Sequence, residues 1–179
     1  MAPKRNRSSL SRASRELNRA KEWVSSMSNE AVLNQLMVDG VLPNRVMVGW
    51  CLTQGESFPT LHGDELVVFE DYIYRGFGVL IHPFLRGLID YYEISLYNLG
   101  PNSILHVSVF IHFCKAYLCI LPHFDLFRHF FCLKARGGSR SRIVGHAYLQ
   151  LWDGMVGQYI ATPLNTNVKY WAQRWFYMP

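Results

Sequence analysis

Two sets of residues have the types and spacing for metal chemistry. Asp64, Glu65, Glu70 and Asp71 form the densest acidic group, and clustered carboxylates are what a divalent cation requires. On a strand, Glu65 and Asp71 point to one face and Glu70 to the other, so no three converge without help from elsewhere. Solvated strand ends are therefore the expectation for this group. Cys119, His123, His129 and Cys132 have the spacing C-x3-H-x5-H-x2-C, whose ends suit a tetrahedral zinc. They straddle Pro122 and an aromatic-rich segment, where buried cysteines and hydrogen-bonded histidines are ordinary. No metal and no cofactor is expected. No Ser-His-Asp or Cys-His pairing can be argued either, because nothing brings candidates into proximity.

The other chemistry on offer is electrostatic. Residues 1–22 carry Lys4, Arg5, Arg7, Arg12, Arg15, Arg19 and Lys21 against Glu16 and Glu22, which accounts for the whole net charge of +5. The remainder is neutral but uneven. Residues 23–100 hold Arg45, Arg75 and Arg86 against nine acids, whereas 101–179 hold eight cations against Asp125 and Asp153. Lys134, Arg136, Arg140 and Arg142 fall in LKARGGSRSR, a flexible surface loop by its Gly-Gly-Ser centre. Lys4, Arg5, Arg7, Arg12, Arg136, Arg140 and Arg142 are the candidate contacts to nucleic-acid phosphates. The N-terminal arm reads equally as a nuclear address or as a solvated tail without a role. Tyr170, Trp171, Trp175, Phe176 and Tyr177, mixed with Lys169 and Arg174, could stack on bases. The inner face of a sheet is the more ordinary place for such a set, and is expected here.

These residues must be positioned by a core that 50% hydrophobic and 15% aromatic composition can supply. Its centre is the stretch 82–132, which holds three helical patterns in succession. In HPFLRGLIDYYE, Phe84, Leu85, Leu88, Ile89 and Tyr92 recur at three- and four-residue spacing, Arg86, Asp90 and Glu93 lie opposite, and Pro83 sits in the first turn. The second pattern, 102–121, is apolar almost all round except for a stripe of Ser108, His112, Lys115 and Cys119. Such a helix lies within a core with one strip at a surface or groove, and Pro122 is expected to end it. FDLFRHFF supplies a short third helix.

Upstream, SNEAVLNQLMVDG predicts a helix capped by Ser28, buried through Val32, Leu33, Leu36 and Met37, and stopped by Gly40. A weaker helix is expected from Ser14 towards Val24. Residues 45–52 and ELVVFEDYIYRG read as extended. Downstream, IVGHAYLQLW and MVGQYIAT flank Asp153-Gly154 as a tight hairpin, and VKYWAQRWFYM is a last strand. The four cysteines 51, 114, 119 and 132 read as reduced, buried thiols. No signal peptide is visible, and His106, Ser108, His112 and Lys115 argue against a membrane span over 104–121.

Taken as one text, WCLTQGESFPTLHGDELVVFEDYIYRGFGVLIHPFLRGLIDYYEISLYNLGPNSILHVSVFIHFCKAYLCILPHFDLFRHFFCLK resembles the plant gypsy-type transposase domain, found in reading frames derived from retrotransposons. The similarity runs from about Glu30 to the closing RWFYM. The resemblance implies an origin, not an activity. Retroelement enzymes leave recognisable marks, and these are missing from the sequence. Asp39-Gly40 and Asp153-Gly154 lack the middle residue of an aspartic-protease triplet, and no Asp-Asp pair offers the two-metal site of a reverse transcriptase. His106 and His112 are followed by Cys114 and Cys119, four residues apart rather than the two of an integrase zinc module.

The expected fold is α+β, a central helical cluster packed on a small antiparallel sheet behind a disordered basic N-terminus. Residues 1–27 form the tail and 28–179 a single transposon-derived domain. The expected role is non-catalytic and Gag-like: an intracellular structural or interaction domain, in nucleus or cytoplasm, that binds RNA or DNA electrostatically and associates with itself or other proteins. Partnership with a membrane is not expected. The alternative is an element-encoded, metal-dependent nuclease or transposase whose site is unrecognised.

Overall fold

In a computed structural model of the chain, described over residues 23–53, 55–78, 81–135, 143–159 and 168–179, helices and strands share one buried cluster. Six helices are described: α1 (Glu30–Val38), α2 (Arg45–Val48), α3 (Glu70–Tyr74), α4 (Pro83–Tyr91), α5 (Pro101–Ala116) and α6 (Phe124–Phe130). Four strands, β1 (Leu66–Phe69), β2 (Phe131–Ala135), β3 (Ala147–Leu151) and β4 (Trp175–Met178), make two antiparallel pairs, β1–β4 and β2–β3. The architecture is α+β as expected, with two small sheets in place of one.

The helices of the central stretch follow from their patterns. His82 caps α4 by accepting the Phe84 amide N–H on Nδ1 at 3.1 Å, Pro83 fills the first turn, and Leu85 and Leu88 are buried. α5 buries Ile104, Val107, Phe110 and Cys114, and Phe110 meets Phe84 and Phe127 at 5.3 and 5.0 Å between ring centroids. It ends at Ala116, five residues short of Leu121. The carbonyls it leaves open are met locally: Leu118 N–H bonds Phe113 O and Ile120 N–H bonds Cys114 O. Cys119 then takes a left-handed φ of 54°, so the turn precedes Pro122 rather than waiting for it.

Four extended readings need correcting. Residues 45–48 form a helical turn capped by Asn44 and stopped by Gly49 at φ 68°, and only Cys51 is bridged to a strand, at Tyr177. In ELVVFEDYIYRG the strand stops at Phe69 and Glu70 opens α3. MVGQYIAT pairs with nothing among the described residues, so Asp153-Gly154 is a turn after β3 rather than a hairpin. The antiparallel pair is instead β2–β3, and Leu133–Ala135, expected in a loop with the rest of LKARGGSRSR, belong to β2. VKYWAQRWFYM holds a 3-10 turn at Trp171–Gln173 before β4, which pairs back to β1 with Phe69 opposite Trp175. β propensity marks apolar extended chain but does not name its partner. The helix at 30–38 is present, capped by Asn29 rather than Ser28, with Leu33 and Leu36 buried and Gly40 at φ 72°.

Residues 23–29 run extended along the core. The Trp23 ring lies 5.6 Å from that of Trp175, whose indole N–H bonds Val24 O at 2.8 Å. Gly145 has no room for a side chain, because a Cβ there would sit 2.6 Å from the Trp171 ring. The N-terminus expected to be disordered, and residues 14–22 of the expected weak helix, lie outside the described residues. No described helix is long and apolar enough to cross a membrane.

Candidate nucleic-acid interface

The acidic group has a different job from either one its sequence suggested. Glu70 and Asp71 stand together in the first turn of α3, buried at 4% and 9% exposure, so they are not solvated strand ends. Arg174 reaches both, with Nη2 2.6 Å from Asp71 Oδ2 and Nε 3.8 Å from Glu70 Oε2. Burial, above all, holds the Glu70 carboxyl above the usual carboxylate range; Asp71 adds to this and Arg174 opposes it. Asp64 is exposed and Glu65 accepts the His62 amide N–H at 2.8 Å, so the four acids do not share one site. Arg174 is thereby the clamp of two elements, a role its place in the aromatic set did not suggest.

The Cys/His quartet is dispersed. Cys119 is exposed on the turn after α5, His123 precedes α6, His129 is exposed on α6, and Cys132 is buried on β2 with its thiol against Gln150 O. Among the described residues no three His, Cys, Asp or Glu side chains form a metal-holding group. Cys114 and Cys132 are buried as expected, whereas Cys51 is half-buried and Cys119 open.

The C-terminal aromatics belong to the core. Trp171, Trp175, Phe176 and Tyr177 are buried, and Tyr170 alone of that set is exposed. Another set of aromatic and cationic side chains lies on and beside the β2–β3 hairpin. The register pairs Lys134 with Tyr148 and Cys132 with Gln150, so these four side chains share one face, while Leu149 turns to the core. Lys134 is exposed and Tyr148 half-buried. One residue past β3, Trp152 is 48% exposed, and its indole N–H bonds Arg128 O at 2.8 Å. The Arg128 guanidinium lies over the ring of exposed Tyr91, 5.6 Å from its centroid, and Tyr91 packs on Phe124 at 4.4 Å. A row of cations and aromatic rings thus runs from Lys134 and Tyr148 through Trp152 to Arg128 and Tyr91. The alternation of strand residues could have disclosed Tyr148 and Trp152; Tyr91 and Arg128 are joined to them only by tertiary packing.

Lys4, Arg5, Arg7, Arg12, Arg136, Arg140 and Arg142 lie outside the described residues. The last three fall, in sequence, between β2 and β3.

No curated protein and no solved structure matches the chain. The model of one family does, over residues 67–135, and that family is described as "Putative gypsy type transposon". The matched segment is narrower than the resemblance drawn from about Glu30 onward, and it runs from β1 to the end of β2. Over that segment, the chain is similar to the gypsy-type transposon family.

Proposed function

We propose that this chain is a non-catalytic interaction domain of retrotransposon origin that binds single-stranded nucleic acid on the outer face of the β2–β3 hairpin. The supporting observation is the shared face of Lys134, Tyr148 and Trp152, continued by the Arg128–Tyr91 stack; in sequence, Arg136, Arg140 and Arg142 fall between β2 and β3. Exposed rings offer sequence-tolerant stacking, and flanking cations track phosphates. The alternative of a metal-dependent enzyme loses its main donors here, since Asp71 and Glu70 already face a guanidinium.

Fluorescence anisotropy with labelled oligo(U) and oligo(dT) across a salt series tests this reading. Affinity should fall with salt at a log–log slope near −0.7 per phosphate contact. Tyr148→Ala and Trp152→Ala should each weaken binding by about 1–3 kcal/mol without changing that slope. Replacing Arg136, Arg140 and Arg142 by Ser, or deleting residues 1–22, should flatten the slope and leave stability unchanged. Absence of binding to either polymer at low salt would sink the proposal. A second reading, association between copies, is favoured by the exposed apolar run Tyr117–Leu121, where Tyr117 is 73% and Leu121 81% exposed. Concentration-dependent molar mass that Leu121→Asp abolishes would support it.

A further inference from the structure

On the side of α5 away from the hairpin, a groove of about 300 Å³ opens between α5, the start of α4 and the segment Gly76–Gly78. Phe77, Leu85, Val107 and Ile111 supply apolar walls, and Ser108, His82, His112 and Lys115 supply the polar lining, with no carboxylate among them. Ser108, His112 and Lys115 recur along α5 at i, i+4 and i+7, and so form a row. The serine is already engaged: its hydroxyl donates to Gly76 O at 3.1 Å and ties that segment to the helix. His82 is also fixed. Because Nδ1 accepts the Phe84 amide, the neutral ring carries its proton on Nε2. Burial first, and Lys115 second, hold the His82 pKa below its ordinary value, so the ring is a neutral donor beside an ammonium group.

Donors of positive or neutral character over apolar walls define a ligand class. We propose that this groove binds a small organic oxyanion, an apolar body about one aromatic ring in size bearing a phosphate or carboxylate group. The body lies between Phe77, Leu85 and Ile111, and the oxyanion is held by Lys115 Nζ and His82 Nε2–H, with His112 beside them. The volume matches the lower end, about 300 Å³, of ordinary small-molecule sites. The site is independent of the nucleic-acid face. Ser103, which donates nothing to the groove, turns its hydroxyl to accept the Leu149 amide N–H on the opposite side of α5.

Titrating the full chain with phenyl phosphate, benzoate, inorganic phosphate and phenol, while following the histidine Cε1–H resonances by NMR, tests this assignment. Phenyl phosphate or benzoate should shift His82 and His112 saturably, and whichever binds tighter names the oxyanion. Inorganic phosphate and phenol should each bind at least about tenfold more weakly, because each lacks one half of the ligand. A bound anion should also raise the His82 pKa, against the opposing influence of burial and Lys115. Lys115→Gln, at an exposed position, should weaken binding by about tenfold with an unchanged melting temperature. His82→Asn keeps a capping side chain and should weaken it with the helix intact. No saturable shift, equal binding of inorganic phosphate, or full binding by Lys115→Gln would each overturn the proposal.

Discussion

Among the described residues Arg174 is the cation that faces the two buried acids of α3, and removing it would strand both. Arg174→Met should cost about 3–5 kcal/mol, because it leaves uncompensated buried charge rather than merely deleting a contact. Urea denaturation at neutral pH reads this directly, and pairing the change with Asp71→Asn should restore part of the loss. The acids were visible in the sequence but their partner was not, since Arg174 lies 103 residues away from Asp71. A strand reading also set Glu70 and Asp71 on opposite faces, whereas a helical first turn sets both near the amide donors of its N-terminus. His106 makes a second residue-scale case. It packs on Phe131 at 5.0 Å, and burial lowers its pKa to about 4 from 6.5. Between those values the unfolded chain holds the extra proton, so the His106 contribution is intact above pH 6.5 and is lost as pH falls towards 4. The full loss is about 3 kcal/mol by the usual conversion of pKa units to energy. His106→Leu should therefore narrow the gap between urea midpoints at pH 7 and pH 4.5.

Among elements, α5 carries the clearest difference in burial. Phe110 is fully buried, whereas Phe113 is only partly covered and leans on Tyr117 and Tyr159. Phe110→Ala should cost about 3–5 kcal/mol through lost burial and the cavity left behind. Phe113→Ala should cost less, and a denaturant series on both variants checks the order. Equal losses would mean that α5 is packed differently from this account. The sequence disclosed the helix, its start to within a residue (102 against the observed Pro101) and its polar strip, because 3.6-residue periodicity is local. It overran the end, because apolar residues 117–121 read as more helix although the chain there turns outward at Cys119. Helix geometry was legible in residue types; strand partnership was not. The pairing of Leu66–Phe69 with Trp175–Met178 depends on burial on both sides of the sheet, which no spacing rule encodes. The face proposed for nucleic acid shared that fate. Its loop cations were readable from composition, but Tyr148, Trp152 and Arg128 became one surface only after the hairpin register was fixed.

For the whole molecule, the family segment and the folded unit have different bounds. Residues 67–135 include β1 and β2 but neither β4 nor β3, so each sheet is cut in half at the match boundary. They also exclude Trp50, Trp171 and Trp175, all buried in the shared cluster. A fragment of 67–135 should therefore lack a cooperative thermal transition and aggregate through its two unpaired strands, whereas residues 23–179 should unfold in one step. Circular dichroism melts of the two decide the matter. Hydrogen bonds such as Thr60 N–H to the Tyr177 hydroxyl, 117 residues apart, tie early chain to late chain throughout. A fold closed by such distant contacts gains little before most of the chain is present, which slows its formation.

The Arg174 clamp gives that delay a duration. During synthesis Asp71 is added 103 residues ahead of Arg174, the side chain that lets it be buried. At cellular translation speeds of about 5–20 residues per second, the gap lasts about 5–20 s. Over that interval α3 keeps its two carboxylates in water, and β1 beside it waits with an open edge. Late arrival of the arginine therefore disfavours early burial of the α3 acids.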